Sequence, residues 1–253
     1  MPNVPSPKGG WCPLLLGAGM LVGTALPVRA QAPPAPHQIQ WYEPVIVAAG
    51  VSVFFLVDNP VRTYMLDNQT SGKDNAAALF KGVGEPEVWA LVPAVMIGTG
   101  LVFKKPGLTH TGLRAVTSAA LAGGVVAVLK FAFGRERPNV PGSEPMDFEP
   151  FENISDDASF PSGHTASAFG FASSLADDVH PLWAKIGLYA LATGTAWSRV
   201  YDNKHWTSDV VAGAVVGIAS AKIVRGSWQV WGIRMPAVFT DGHQVTVSWH
   251  GTF

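Results

Sequence analysis

Five apolar runs without a charged side chain dominate this sequence and limit the folds open to it. They cover residues 44–57, 88–103, 115–129, 186–198 and 210–221, and polar segments separate them. Each run is longer than an ordinary strand and rich in Ala, Leu and Val, which predicts helices. Only 14% of the residues are charged, against about 25% in average soluble domains. The pattern therefore predicts an all-α fold, an antiparallel helical bundle.

The same runs leave two environments open. None reaches the roughly 20 apolar residues of a simple bilayer span, yet their Gly and Ala content favours close helix packing in membranes. A compact membrane bundle and a soluble periplasmic domain both fit, and we favour the first. The segment 104–114 carries Lys104, Lys105 and Arg114 without an acid. This bias predicts a cytoplasmic loop there, with the next helix directed towards the periplasm.

The two ends of the chain differ from the centre. Residues 1–30 have the pattern of a signal peptide, with Lys8 before an apolar stretch and Ala30 at the cleavage position, although an uncleaved membrane anchor is the alternative. Residues 31–43 are predicted to be a proline-rich linker and 44–236 the helical domain. Apolar and polar residues alternate over 244–249, after the turn pair Asp241-Gly242, which predicts a C-terminal β-hairpin tail at 237–253.

A loop of different composition interrupts the helical pattern at 134–160. It contains four prolines and a run of acidic residues from Glu144 to Asp157. Loops of this length in compact domains are usually lids or binding segments, and a plain surface loop is the alternative.

Three clusters carry residues suited to chemistry. They are Lys130 with Arg137-Pro138, the run Pro161-Ser162-Gly163-His164, and Ser198-Arg199 followed by His205 and Asp209. His205 and Asp209 are four residues apart, which places both side chains on one helix face. The carboxylate can fix the imidazole tautomer and leave the other ring nitrogen free as a nucleophile or base. The alternative is an ordinary helix-stabilising pair.

The other two clusters favour an anion. Ser162 is a candidate N-cap, and Gly163 allows the backbone to approach a ligand at a helix start. Lys130, Arg137 and Arg199 can hold phosphate oxygens. Each feature also has a plain structural explanation, as a capped helix or as helix-end bases that complement the macrodipole. Arg135 lies beside this group, and no role is predicted for it.

Helix order joins the three clusters. Lys130 ends one predicted helix, His164 starts the next, Arg199 ends the third and His205 starts the fourth. Successive antiparallel helices place all four at one end of the bundle. Three cations, two histidines and a helix N-terminus would then share one pocket suited to a phosphate-like dianion.

Together these clusters closely resemble the three-part signature of the superfamily of type 2 phosphatidic acid phosphatases and vanadium haloperoxidases. All eleven specified positions match in order and spacing, over about residues 80–225. The resemblance implies that His205 attacks phosphorus and forms a phosphohistidine, that Asp209 orients His205, and that His164 acts as acid and then as base. It implies that the phosphate oxygens are held by the residues Lys130, Arg137, Ser162, Gly163 and Arg199.

The resemblance implies a hydrolase of phosphate monoesters or pyrophosphates, with a lipid phosphate or isoprenyl pyrophosphate favoured as substrate. No metal or cofactor is expected, and vanadate is expected to bind only as a phosphate mimic. A vanadate-dependent haloperoxidase, a periplasmic acid phosphatase for small soluble esters and a non-catalytic bundle are the alternatives. A membrane is an expected partner. A net charge of −1 without a polybasic patch argues against nucleic acid.

Overall fold

The computed structural model describes residues 35–151 and 158–230, and the backbone of 237–240 and 245–248. The predicted signal peptide lies outside these ranges. A short 3₁₀ segment, Phe54–Val57, joins α1 to α2. The helices are α1 (Glu43–Val53), α2 (Asp58–Asp67), α3 (Ser71–Val83), α4 (Pro86–Val102), α5 (Pro106–Phe133), α6 (Gly163–Ala176), α7 (Leu182–Tyr201) and α8 (Thr207–Val224). The all-α prediction is confirmed.

Helices α5, α6 and α8 pack closely through small side chains. A Cβ added to Gly217 on α8 would lie 2.3 Å from the carbonyl oxygen of Ala166 on α6. Ala122 and Val126 on α5 join Ala166 in one buried cluster. Larger side chains at these positions would separate the helices, so the Gly and Ala content of the runs fixes the bundle geometry.

Helix α5 is much longer than the uncharged run that predicts it. It spans 28 residues, or about 42 Å, because it continues beyond Arg114 to Pro106 and beyond Lys130 to Phe133. Both charges have partners near the helix ends: Arg114 contacts Asp178 at 2.5 Å, and Lys130 donates to the Ala158 carbonyl. Counting only uncharged residues therefore underestimated the length of the helix.

Three helical segments of the described chain are long and apolar enough to cross a membrane: 43–67, 106–133 and 207–224. Helices α3 and α4, bent by 46° at their junction, would make a fourth if they act as one span. Apolar side chains on the outside of the bundle are exposed, among them Ile46, Leu91, Val128 and Trp183. Such a surface is typical of contact with lipid, and it supports membrane association.

An ionic cluster closes the bundle end that lies opposite the predicted pocket. Asp178, after α6, contacts Arg114 at 2.5 Å and Arg225 at 3.0 Å, while Asp177 contacts Lys222 at 2.9 Å. The two acids are therefore paired with bases of α5 and of the end of α8. The three bases outnumber the two acids, so this end of the molecule keeps its basic character.

Two small sheets complete the structure. Strand β1 (His37–Ile39) pairs in parallel with β2 (Trp228–Val230), just after α8. Part of the predicted linker 31–43 is therefore a strand, which corrects the prediction. No local sequence pattern predicts this pairing, because the partner strand is about 190 residues away. Strands β3 (Ala237–Thr240) and β4 (Val245–Ser248) pair antiparallel, which confirms the C-terminal hairpin. Its turn, 241–244, lies outside the described residues.

The first part of the predicted loop packs against the bundle. Phe148 lies against Phe55 and Phe133, with ring centroids 6.1 and 6.3 Å apart. Glu144 accepts a hydrogen bond from Asn59 at 3.1 Å. Residues 134–151 are therefore anchored to α2 and α5 and form one wall of the site end.

Candidate active site

The four predicted helix ends meet at one end of the bundle. Lys130 lies in the last turn of α5, α6 begins at Gly163, Arg199 lies in the last turn of α7, and His205 precedes α8. Backbone hydrogen bonds hold the turns together: Ser162 N–H donates to Asp209 O at 3.0 Å, and His205 N–H donates to Arg199 O at 3.2 Å. The antiparallel order thus brings the three clusters together.

His205 and Asp209 form the buried centre of the site. His205 is 3% exposed and Asp209 is 0% exposed. The imidazole Nδ1 lies 3.4 Å from Asp209 Oδ2, and the same oxygen accepts the Trp206 N–H at 2.8 Å. The separation of 3.4 Å exceeds a normal hydrogen bond, as is common before substrate binds. With Nδ1 facing the carboxylate, Nε2 is the nitrogen available for chemistry.

Burial and neighbouring cations keep His205 neutral. Desolvation lowers the pKa of His205 from 6.5 to about 4, and the charges of Arg137 and Lys130 act in the same direction. Asp209 partly opposes this effect. At neutral pH the ring therefore retains the lone pair that a nucleophile needs.

Three cations surround the two histidines. Arg199 is buried, and its Nε has no hydrogen-bond partner among the described residues. A buried guanidinium N–H without an acceptor is costly, and a bound oxyanion would satisfy it. Arg137 donates weakly to the Lys204 carbonyl at 3.4 Å, and Lys130 donates to the Ala158 carbonyl. Both influence the His205 pKa, so the positive charge is concentrated beside the ring.

His164 occupies the more exposed side of the pocket. Its side chain is 29% exposed, and Nε2 lies 3.7 Å from Glu85 Oε2. Desolvation lowers the pKa of His164, followed by the charge of Arg199 and more weakly that of Arg137, while Glu85 opposes the change. Arg137, in the loop after α5, and Arg199, in the last turn of α7, therefore act on the same ring.

Ser162 and Gly163 form the turn before α6. Ser162 occupies the N-cap position, but its side chain does not accept a hydrogen bond from the first turn. Its hydroxyl instead accepts from Thr165 Oγ1 at 3.0 Å, so the predicted N-cap position is confirmed but its side chain does not cap the helix. A Cβ added to Gly163 would meet only Val126 Cγ1 at 3.7 Å. Protein packing alone therefore does not require glycine here.

Arg135, for which the sequence predicts no role, lies at the base of the site. It donates to Asp209 Oδ1 at 2.5 Å and to Asp58 Oδ2 at 2.7 Å, and all three side chains are fully buried. Ser208 completes the network, with its N–H and hydroxyl donating to Asp58 at 2.8 and 2.6 Å. The orientation of Asp209 thus depends on a guanidinium and a second carboxylate that the three clusters do not include.

Aromatic rings isolate this network from solvent. The Arg135 guanidinium carbon lies 4.4 Å from the centroid of Phe55 and 5.3 Å from that of Trp206. Burial of a charged pair in such a setting is stable only when the hydrogen bonds are complete. One signal in the sequence was available: an Arg next to the cluster in a charge-poor chain. Its partner Asp58, however, lies 77 residues away.

The arrangement can perform an in-line displacement at phosphorus. A neutral nucleophilic imidazole, an orienting carboxylate, a second imidazole and three cations are the parts such a reaction needs. The buried Asp209 can stabilise the positive charge that develops on His205.

Comparisons with known proteins agree with this geometry. Residues 111–232, which include all three clusters, match the sequence model of the PAP2 superfamily. A stretch of 111 residues is 37% identical to the lipid A 1-phosphatase of Porphyromonas gingivalis, covering 43% of this chain and 21% of that protein. A stretch of 167 residues is 29% identical to the putative undecaprenyl-diphosphatase YbjG of Escherichia coli, covering 62% of this chain and 83% of that protein.

A solved structure shows the same fold. The transmembrane PAP2-type phosphatidylglycerolphosphate phosphatase of Bacillus subtilis superposes with a TM-score of 0.58 at 20% identity, covering 73% of this chain and 95% of that chain. The match to the Porphyromonas protein spans only about a fifth of that relative. Over residues 111–232, just under half of its length, the chain is therefore similar to the PAP2 superfamily.

Proposed function

We propose that this protein is a membrane phosphatase that hydrolyses a lipid phosphate monoester or pyrophosphate through a phosphohistidine on His205, without a metal ion. The observation that carries the proposal is the neutral, buried His205 beside Asp209, with Arg199 Nε lacking an acceptor among the described residues. A phosphate group supplies both the electrophile that the ring needs and the acceptor that the guanidinium needs.

The first step transfers the phosphoryl group to the protein. His205 Nε2 donates its lone pair to phosphorus, and the bond from phosphorus to the leaving oxygen breaks. His164 gives its proton to that oxygen. Lys130, Arg137 and Arg199 stabilise the charge on the equatorial oxygens. The ring of the phosphohistidine then carries a positive charge, and its Nδ1–H is drawn towards Asp209 Oδ2.

The second step returns the protein to its starting state. Water attacks phosphorus and gives its proton to His164, while the bond from phosphorus to Nε2 breaks. Inorganic phosphate leaves, and His205 is again neutral. Splitting one difficult displacement into two easier ones is the benefit of covalent catalysis. The clustered cations supply the positive charge that a divalent metal supplies in other phosphatases.

The membrane setting supports a lipid substrate facing the periplasm. Three described segments can span a bilayer, and the site lies at a bundle end where they terminate or begin. The opposite end carries an excess of bases, and the acids Asp177 and Asp178 are paired there. Bases concentrate on the cytoplasmic side. Two relatives are named for phosphatases of lipid A and of undecaprenyl diphosphate, both lipids.

Phosphate release by variants of the purified protein tests the proposal. His205→Ala should abolish release from lipid phosphates in mixed micelles while the helical circular dichroism signal is unchanged. His180→Ala is the matched control, because His180 is exposed after α6, at the other end of the bundle. Activity in His205→Ala equal to that of His180→Ala would contradict the role of His205.

A further inference from the structure

A carboxylate outside the three clusters faces the pocket. Glu85 lies between α3 and α4 and occupies the N-cap position of α4 with an extended backbone, φ −67° and ψ 142°. A short polar side chain at the N-cap, such as Asp or Ser, usually accepts an N–H of its own helix. Glu85 makes no such hydrogen bond. Its Oε2 instead lies 3.7 Å from His164 Nε2.

Close packing fixes this position. A Cβ added to Gly84 would lie 2.4 Å from Thr195 Cγ2, so only glycine allows the α3–α4 junction to approach α7 this closely. Thr195 Oγ1 donates to the Phe80 carbonyl at 3.3 Å across the same contact. Arg199 follows Thr195 by one helical turn on the same face of α7. The junction therefore holds Glu85 beside the pocket rather than in solvent.

The position of Glu85 relative to the two histidines determines which part of a substrate lies beside its side chain. His205 attacks phosphorus from the buried side, and His164 gives its proton to the leaving oxygen on the opposite side. A group that contacts His164 Nε2 therefore lies beside the leaving group. Glu85 also offsets part of the positive charge of Arg199 there. Its side chain is 37% exposed, so it borders the mouth of the pocket.

We propose that Glu85 is a specificity-determining residue that disfavours substrates with a negatively charged leaving group. The inference rests on the proposed function. A phosphate monoester releases an uncharged alcohol, and a hydroxyl group of that alcohol can donate a hydrogen bond to Glu85. A diphosphate releases a phosphate monoester, whose phosphoryl group brings a negative charge towards the carboxylate. Like charges a few ångströms apart at a partly desolvated site repel, and such repulsion is a common source of specificity.

The proposal predicts a change in a ratio rather than in total activity. The two substrates are a prenyl monophosphate and the prenyl diphosphate of the same chain length, both in mixed micelles. Glu85→Gln keeps the size of the side chain and removes its charge. It should raise kcat/KM for the diphosphate relative to the monophosphate by about tenfold or more, equivalent to about 1.4 kcal/mol. Glu85→Asp keeps the charge and should retain most of the original preference.

A second readout separates this role from a structural one. Glu85 favours the protonated form of His164, whereas Arg199 and Arg137 oppose it. In Glu85→Gln the alkaline limb of kcat/KM for the monophosphate should therefore shift to lower pH. Glu87→Gln is the matched control, because Glu87 is an exposed acid in the first turn of the same helix. Neither the ratio nor the pH limb should change in that variant.

Several outcomes would overturn the proposal. One is a diphosphate-to-monophosphate ratio in Glu85→Gln within twofold of the unmodified protein. Another is an equal change in Glu87→Gln, which would show a general surface-charge effect. If the unmodified protein hydrolyses both substrates and only the ratio fails to respond, the assignment of Glu85 alone is wrong. If it hydrolyses neither, the proposed function itself fails, and the inference fails with it.

Discussion

Arg135 donates a hydrogen bond to Asp209 at 2.5 Å, and neither side chain is exposed to solvent. Arg135 contacts Oδ1 of Asp209 whereas His205 faces Oδ2, so the carboxylate is held between a guanidinium and an imidazole. The second guanidinium nitrogen reaches Asp58 at the start of α2. Arg135 is therefore a positioning residue, which ties the α2 end to the base of the site.

Removing the Arg135 charge should destabilise the protein strongly. In Arg135→Gln the carboxylates of Asp58 and Asp209 remain buried without their cation, which costs about 3–5 kcal/mol of unfolding free energy. Reversible unfolding by SDS in mixed micelles measures this loss. The double variant Asp58→Asn/Arg135→Gln should recover part of it, because one of the two unpaired charges is gone.

Arg225→Gln provides the control for this experiment. Arg225 pairs with Asp178 at 3.0 Å at the opposite bundle end, where it is one-third exposed. Loss of such a partly solvated pair costs about 1 kcal/mol or less. An equal loss in Arg135→Gln and Arg225→Gln would contradict the account of a buried network.

The pattern of the sequence predicts the bundle and the signature residues but not this network. Uncharged runs identify helices because only a helix satisfies its own backbone in an apolar setting. Antiparallel order then brings Lys130, His164 and His205 to one end. Arg135 and Asp58 are different, because their pairing depends on how α2 folds back over the loop. No local sequence pattern in either segment predicts that contact.

Glu85 and strand β1 illustrate the same limit. A glutamate between two helices is typical of a solvated turn, and only the approach of the junction to Thr195 places it near His164. Strand β1 has three residues, too few to show alternation. Its partner β2 follows the last helix, so the pairing is decided by the closed bundle rather than by either short segment.

The activity should be greatest on the acid side of pH 6.5. His205 must be neutral, and its pKa is lowered to about 4. His164 must be protonated in the first step, and its pKa is also lowered from 6.5. The profile of kcat/KM, which reports the free enzyme, should therefore be bell-shaped. Its acid limb should lie near pH 4, where His205 gains a proton, and its alkaline limb should lie at a pH below 6.5, where His164 loses one. A maximum on the alkaline side would contradict these assignments.

The same titration should weaken the fold in acid. Unfolded His205 binds its proton near pH 6.5, whereas folded His205 binds it near 4. The unfolded state therefore holds more protons between these values, and stability present above pH 6.5 is lost as the pH falls. His205→Gln removes this contribution, so the difference in unfolding midpoint between the two proteins should shrink steadily from pH 7 to pH 4.

Chelation should leave the hydrolytic rate unchanged, because in the proposed mechanism Lys130, Arg137 and Arg199 hold the phosphate. Phosphate release after EDTA treatment should stay within twofold of the untreated rate, and added Mg²⁺ should not increase it. Vanadate should inhibit competitively as a phosphate mimic. Halide oxidation by peroxide in the presence of vanadate is the control reaction. Vanadate-dependent halogenation without phosphate release would favour the haloperoxidase alternative.

Single cysteines at the two bundle ends should report the orientation in the membrane. In a Cys12→Ser background, which removes the only cysteine, Met146→Cys marks the site end and His180→Cys the opposite end. Met146 is 71% exposed, and His180 is also exposed. A membrane-impermeant maleimide should label Met146→Cys in cells with an intact inner membrane. His180→Cys should react only after lysis, and the reverse order would contradict a periplasmic site.

Trapping the phosphorylated protein tests the central claim most directly. His164→Ala should still accept phosphate from p-nitrophenyl phosphate, whose leaving group needs no acid, but should release it slowly for lack of a base. Rapid quenching with labelled substrate, followed by peptide mapping in alkali, should place an acid-labile phosphate on His205. Label on another residue of His164→Ala would contradict the account. So would an unlabelled His205 in that variant while the unmodified protein turns over the substrate.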